Sequence, residues 1–445
     1  MEAACETPAV DTTIPVLGPA KIPSPLPYCR FDDEAKARLE LDAGEFGEGT
    51  GPCLATFEAA GPRSRIYYDS SKVKAAIVTC GGLCPGLNDV IRAIVMECCH
   101  NYHVAGVLGI RFGLQGFIEA YGYEPAALTP NAVSDIHQFG GTVLGSSRGP
   151  QQPEAIVDAL ERLNVGILFV IGGDGSMKAA RRIQEEIARR RSKISVIGVP
   201  KTIDNDVNLV TKSFGFDTAV EKATEAIRCA HTEAIAALNG IGVVKVMGRE
   251  SGFIAAQATL ALKEVNYVLV PEYPFAMTGE RGLLPSLEQR LRDRGHAVIV
   301  AAEGAGQNLL TDTGLRDASG NPVLGDIADF LTGEIEAYFH ARKMPMTLKF
   351  IDPSYIVRSV PANANDRVYC GFLGQNAVHA AMAGKTGMVV SKLGSRYVHL
   401  PLDLVTLRRK KLNIASDYWR AVIESTGQHS VTPFTEDPAI FCTVA

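Results

Sequence analysis

The sequence lacks the marks of several common functional classes. Its 10 cysteines are scattered, with no C-x-x-C pair at zinc-ligand spacing, which excludes a zinc ribbon or finger. Basic residues do not dominate: 44 Lys and Arg stand against 49 Asp and Glu, a formal charge of −5. That balance excludes a broad nucleic-acid face, so phosphate recognition must be local. No H-E-x-x-H pair marks a zinc hydrolase. No apolar run approaches the roughly 20 residues of a membrane span. The opening MEAACETPAVDTT has neither the basic nor the apolar region of a signal peptide. A reducing cytoplasm is therefore the expected setting, with neither membrane nor nucleic acid as partner.

What is present is a chain of 445 residues, 46% apolar and 21% charged, enough for a sizeable core and about two or three domains. Residues up to about Arg65 are rich in Pro, Ala and Gly, and read as an extension that wraps or is partly mobile. From Lys72 onward, short β-prone runs alternate with longer amphipathic ones: KAAIVTC then LNDVIRAIVMECCH, VGILFVIGG then SMKAARRIQEEIARRR, followed by KISVIGV, GIGVVKVMG, NYVLVPE and HAVIVAAEG. This alternation predicts an α/β fold with parallel sheets covered by helices on both faces. Cys98 and Cys99, inside an apolar stretch, read as buried thiols.

Ligands of open parallel sheets bind at the carboxyl ends of the strands, and five strand ends here carry reactive or glycine-rich residues. They are residues 81–86 (GGLCPG), 172–176 (GGDGS), 200–206 (PKTIDND), 247–252 (MGRESG) and 303–306 (EGAG). Glycines between strand and helix let backbone N–H groups approach an anion. The first stretch lacks the Lys-Ser/Thr pair that closes a P-loop. Asp174 could meet a Mg²⁺ held against phosphates, or could simply cap a helix. Phosphoryl transfer needs a base, a metal, cations and alignment. Asp204 can accept a hydroxyl proton, Asp206 can orient the metal shell, and Lys201 and Thr202 can donate to phosphate oxygens. Arg148 and Arg249 could each clamp a phosphate, or form ordinary surface ion pairs.

GGLCPGLN, GGDGS, PKTIDND, SFGFDTAVE, VMGRESGFIA and DPSYIVRS, in this order between about Lys72 and Arg367, resemble the motifs of the phosphofructokinase family. The form is closest to its longer branch, which includes plant and trypanosomatid ATP-dependent enzymes. The resemblance implies two Rossmann-like domains plus the N-terminal extension (residues 1–70). Residues 71–215, completed by 357–410, would bind the phosphoryl donor, and 216–356 fructose 6-phosphate, with a C-terminal segment at 411–445. It implies that Gly82, Arg148, Gly149, Gly173, Asp174, Gly175, Ser176 and Lys201 bind the donor, with Asp174 on Mg²⁺. Thr202, Ile203, Asp204, Met247, Gly248, Arg249, Glu303, Lys349, Tyr355 and Arg358 would bind the sugar phosphate. Asp204 would be the base for the sugar 1-hydroxyl, with Thr202, Asp206 and Arg249 assisting catalysis. An allosteric homo-oligomer, dimer or tetramer, is also implied.

The chain departs from the family's pattern at three places. Many bacterial members supply an arginine across the subunit interface where this chain has Gly240, a second interface position is Lys349, and a common His is Tyr355. In this family Asp at the position of Gly175 accompanies pyrophosphate use, because a carboxylate there would crowd and repel the α-phosphate of ATP. Lys201 is usual in pyrophosphate users. Gly together with Lys looks like the ATP users of the long branch, so ATP is the expected donor. A pyrophosphate-dependent enzyme and a catalytically silent sugar-phosphate-binding subunit are the alternatives. The silent subunit fits poorly, since Asp174 and Asp204 are both present.

Overall fold

The computed structural model describes residues 11–27, 31–41, 53–311, 314–317 and 320–428. The chain forms two compact units, one of Met1–Gly215 with Ser359–Lys410 and one of Phe216–Arg358 with Lys411–Ala445. Each is an α/β layer structure built on its own sheet.

In the first unit the strands Lys74–Thr79, Gly106–Ile110, Ile167–Gly172 and Ser195–Pro200 pair in parallel, and Met388–Leu393 joins beside Ser195–Pro200. The central runs are apolar apart from Ser195 and buried on both faces, as expected where helices cover the sheet on each side. Antiparallel partners close both edges: Ala126–Ala127 on Gly106–Ile110, and Arg396–Pro401 on Met388–Leu393. The sheet is therefore mixed at its edges rather than wholly parallel. The helices Leu87–Met96, Pro153–Arg162, Asp174–Arg190 and Ala364–Met382 each bury an apolar face. Leu87–Met96 passes directly into a turn of π-helix at Glu97–Asn101, in which Cys98 is buried and Cys99 only half-buried.

The second unit holds four parallel strands in the order Tyr267–Leu269, His296–Ala302, Gly240–Val246, Thr347–Ile351. Alternation along GIGVV divides the work. Ile241 and Val243 enter the core with Leu287, Leu331 and Phe339 of the helices Leu283–Arg294 and Ile327–Ala341. Gly240 and Gly242 lie under the helix Phe216–Ala236, where an added Cβ would meet Ala234 O at 2.0 Å and Ala230 O at 2.8 Å. The two glycines thus set how closely that helix approaches the sheet.

The described part of the N-terminal region is paired rather than loose. Lys36–Leu41 and Cys53–Glu58 form an antiparallel hairpin with Phe57 buried, Ile22–Pro23 pairs with Arg65–Ile66, and Val16 bridges to Lys385. Glu58 there meets Arg63 at 2.6 Å and Lys385 at 2.7 Å. The expected mobility of residues 1–10, 28–30 and 42–52 falls outside the described residues.

A buried histidine makes the first unit acid-sensitive. His379 Nδ1 lies 2.9 Å from Tyr102 Oη and 3.8 Å from Glu97 Oε1. Burial lowers its pKa to about 4, with Arg63 and His399 adding to the effect. Because an unfolded histidine titrates near 6.5, the unfolded state takes up the proton first as pH falls. The stabilisation is full above about pH 6.5 and is lost as pH falls toward 4, by on the order of 3 kcal/mol in all. Unfolding free energies from urea titrations at pH 7.5 and pH 5 should show a drop that is clearly smaller in His379→Gln. Parallel pH dependences in the two proteins would rule this out.

Candidate active site

In the first unit, chemistry gathers at the carboxyl ends of neighbouring strands. Ile167–Gly172 ends at Gly173, and Asp174 is the first residue of the following helix rather than its cap, which is Gly173. The Asp174 carboxylate is buried, and its Oδ2 accepts from Lys178 Nζ at 2.8 Å, one helical turn on, and from Arg409 Nε at 3.4 Å. Beside it, Ser195–Pro200 runs into the TIDND loop. Burial raises the pKa of Asp206, and the nearby Asp174 carboxylate raises it further. The Thr202 hydroxyl and Arg409 oppose the shift. Two carboxylates therefore share one arginine.

The loop owes its shape to Asn205, which sits between the two aspartates with φ of 55°. Asn tolerates this left-handed conformation better than most residues. Its buried side chain accepts from Ser213 N–H at 3.0 Å and donates to Thr211 O at 3.3 Å, which closes the loop on itself. Thr202 Oγ1 accepts from Asp204 N–H at 3.1 Å. Asp204 is half-buried and Ile203 is buried. Lys201 is buried, its Nζ donates to Gly82 O at 2.7 Å, and burial lowers its pKa. Its charge thus fixes the glycine loop that follows Lys74–Thr79.

That glycine loop is bonded to the segment carrying Arg148 and Gly149. Ser146 Oγ donates to Gly81 O at 2.6 Å, and Gly81 N–H donates to Ser147 O at 3.2 Å. Buried Asn88 holds both ends of residues 139–143, donating to Phe139 O at 3.1 Å and accepting from Val143 N–H at 3.0 Å. Arg148 itself is exposed, and Gly149 has φ of 98°.

In the second unit, Met247, Gly248 and Arg249 follow the strand Gly240–Val246, and Glu303 follows His296–Ala302. Gly304 is obligatory, since a Cβ there would lie 1.9 Å from Arg249 O. Arg249 is half-buried, its Nη1 lies 3.7 Å from Asp317 Oδ2, and its buried Nη2 meets no acceptor among the described residues. An unsatisfied buried guanidinium nitrogen is costly unless an anion completes it. Glu303 is raised in pKa by burial, against the attraction of Arg249, Lys245 and Arg358. Arg358 stacks on the ring of exposed Tyr355, 4.8 Å from its centroid. Lys349 is exposed on the edge strand Thr347–Ile351.

Comparison with known proteins decides the family. The phosphofructokinase family model matches residues 74–381. The chain belongs to the phosphofructokinase family. It is 51% identical to an ATP-dependent 6-phosphofructokinase of Borreliella burgdorferi, over 83% of this chain and 85% of that protein. It is 48% identical to ATP-dependent 6-phosphofructokinase 1 of Arabidopsis thaliana, over 84% and 79%. The ATP-dependent 6-phosphofructokinase of Trypanosoma brucei brucei matches at 47%, over 83% and 76%. Among solved structures, a pyrophosphate-dependent phosphofructokinase from Marinobacter aquaeolei superposes with a TM-score of 0.65 at 22% identity, covering 80% of this chain and 91% of that one. That likeness shows the fold alone.

Several residues of these clusters were not singled out from the sequence. Arg409 stands in LRRKKL, a run that reads as a solvated face, and its partner Asp174 is 235 positions away. Lys245 bridges Asp326 at 3.2 Å and Asp352 at 3.1 Å. Glu272, raised in pKa by burial, accepts from Gly252 N–H at 3.0 Å and Leu412 N–H at 2.8 Å. The only sequence signal for Lys245 and Glu272 was a charge inside or just after an apolar strand.

The glycines of GGDG differ in what they tolerate. A Cβ on Gly172 would lie 2.3 Å from Ser176 Cβ, whereas one on Gly175 meets nothing within 4 Å. Gly172→Ala should therefore cost about 1–3 kcal/mol from overpacking. Gly175→Ala, in a helix, should be neutral or stabilising by up to about 1 kcal/mol. Melting temperatures of the two variants test this, and equal shifts would refute it.

Proposed function

We propose that this chain is an ATP-dependent 6-phosphofructokinase, transferring the terminal phosphoryl group of ATP to the 1-hydroxyl of fructose 6-phosphate to give fructose 1,6-bisphosphate. Buried Asp174 at the head of a helix, with half-buried Asp206 near it, carries the donor side of this reading, and the names of the relatives carry the choice of donor. Among the described residues no group of three or more His, Cys, Asp or Glu forms a metal cage. That suits Mg²⁺, which commonly takes one or two carboxylates and completes its shell with water and phosphate oxygens. Asp174, with Asp206 beside it, would hold the ion, which supplies charge neutralisation on the donor phosphates.

The remaining roles fall to the chain's own groups. Asp204 takes the proton of the 1-hydroxyl as the new P–O bond forms. Backbone N–H groups around Gly173, Gly175 and Ser176, with the helix N-terminus behind them, receive donor phosphate charge. Gly82, Arg148 and Gly149 complete the donor side. Arg249 clamps the sugar phosphate, and Met247, Gly248, Glu303, Tyr355 and Arg358 hold the sugar. The exposed edge-strand residues Lys349 and Phe350, with exposed Tyr355 and Ile356, support a homo-oligomer. Cys80, Cys84, Cys98, Cys99, Cys229 and Cys370 are free thiols, in keeping with a reducing cytoplasm.

The base is tested by Asp204→Asn, which keeps the shape and removes the proton acceptor. Its kcat should fall by on the order of 10²–10⁴, with substrate binding changed far less. Near-normal kcat with fructose 6-phosphate would remove Asp204 from this role.

Donor choice is tested by assaying the purified protein with Mg²⁺, fructose 6-phosphate and either ATP or pyrophosphate. Turnover with ATP is expected. Gly175→Asp places bulk and negative charge in open space beside the donor. Like charges about 4 Å apart repel by roughly 1 kcal/mol even at the dielectric of water, and by more where water is excluded. The variant should lose most ATP activity, with any remainder shifted toward pyrophosphate. Unchanged ATP kinetics in the variant, or wild-type turnover with pyrophosphate alone, would overturn the assignment.

A further inference from the structure

Arg409 has no assigned role, yet it is fixed beside two carboxylates of the first unit. Its Nε lies 3.4 Å from Asp174 Oδ2, and it is the cation that opposes the raised pKa of Asp206. The chain around it is clamped to the acidic loop. Arg409 pairs with Val207 as an isolated antiparallel bridge, and Lys410 N–H donates to Asp206 O at 2.9 Å. Lys410 Nζ donates to Val210 O at 2.6 Å and Thr211 O at 3.1 Å, and Arg408 Nε to Asn208 Oδ1 at 3.4 Å. Four hydrogen bonds of the flanking residues thus hold the chain at Arg409 within reach of two carboxylates. Asp174 already has Lys178 at 2.8 Å, so it does not depend on Arg409 for a countercharge. A half-buried arginine placed so deliberately beside a phosphate site suits a planar fork that can pair with either carboxylate or phosphate oxygens.

We propose that Arg409 is a phosphate ligand for the donor. Without nucleotide its guanidinium neutralises Asp174 and Asp206; with nucleotide bound it pairs with a phosphate oxygen and leaves the carboxylates to the metal. The proposal rests on the reading of Asp174 and Asp206 as the donor site. It makes a distinctive prediction, because the same arginine competes with a divalent cation and attracts the nucleotide.

Two binding measurements on the full chain test this without turnover. Mn²⁺ binding to the nucleotide-free protein is read by electron paramagnetic resonance, and MgATP binding by calorimetry. Arg409→Met should weaken MgATP about tenfold while tightening Mn²⁺ several-fold, and Arg409→Lys should recover part of the MgATP affinity. MgATP affinity unchanged in Arg409→Met, or Mn²⁺ and MgATP weakened together, would overturn the proposal; the second result means that Arg409 only shapes the loop. Should the Met variant not fold, Arg409→Lys carries the test alone. It keeps the charge but not the fork, so an unchanged MgATP affinity overturns the proposal. Asp174→Asn separates the two levels: if it alters neither Mn²⁺ nor MgATP binding, the donor-site reading fails as well, and otherwise any failure is that of Arg409 alone.

Discussion

The first unit is organised around the repulsion between Asp174 and Asp206. They follow two neighbouring parallel strands, so the sheet itself delivers two carboxylates to one place. Besides burial, the Asp174 carboxylate raises the pKa of Asp206, so each negative charge disfavours the other. Cations must therefore be close, and they come from two directions: Lys178 from the helix that Asp174 begins, and Arg409 from a segment 235 residues further on. The hydrogen bonds of Arg408 and Lys410 to Asn208, Val210 and Thr211 then make structural sense, since they hold that distant segment against the loop.

The second unit interleaves both signs of charge. Around Glu303 lie Arg249, Lys245 and Arg358, and the carboxylates of Asp326 and Asp352 are engaged by Lys245. Lys245 thereby ties the start of the helix Ile327–Ala341 and the loop carrying Tyr355 and Arg358 to the strand that delivers Arg249. Glu272 fixes the other side of the Arg249 loop by accepting from Gly252 N–H. The first cluster sets two carboxylates against Lys178 and Arg409, while in the second Arg249 keeps a guanidinium nitrogen that is unsatisfied among the described residues.

The strand–helix alternation and the five polar strand ends were legible because each is local. An apolar run, its terminating glycines and the charged residue that follows all lie within about ten positions. Arg409 was not legible, because its neighbours Arg408, Lys410 and Lys411 make it look like one residue of a solvated run. The hairpin Met388–Leu393 and Arg396–Pro401 was missed for a related reason. It joins the sheet at Ile197 and Gly198 only after nearly 190 intervening residues, so no local pattern announces where it pairs. Gly240 was visible as a departure from the family, but its cause is tertiary: Ala234 O occupies the place of any side chain. An arginine at this position could not be accommodated without moving the helix Phe216–Ala236.

Lys201 shows how a shared residue type can mislead about chemistry. Read from the sequence, a lysine at this place points toward pyrophosphate. In the structure its ammonium is buried and donates to Gly82 O, while its backbone N–H donates to Gly172 O. It thereby links two of the glycine-rich strand ends, GGLCPG and GGDGS. Burial lowers its pKa, against the attraction of neighbours that include the Asp204 and Asp206 carboxylates. Under the proposed function, a residue bound this tightly would act on the donor through the loop it holds, whichever donor is used. Discrimination would then fall to a position with space beside it, and Gly175 has nothing within 4 Å of its absent Cβ.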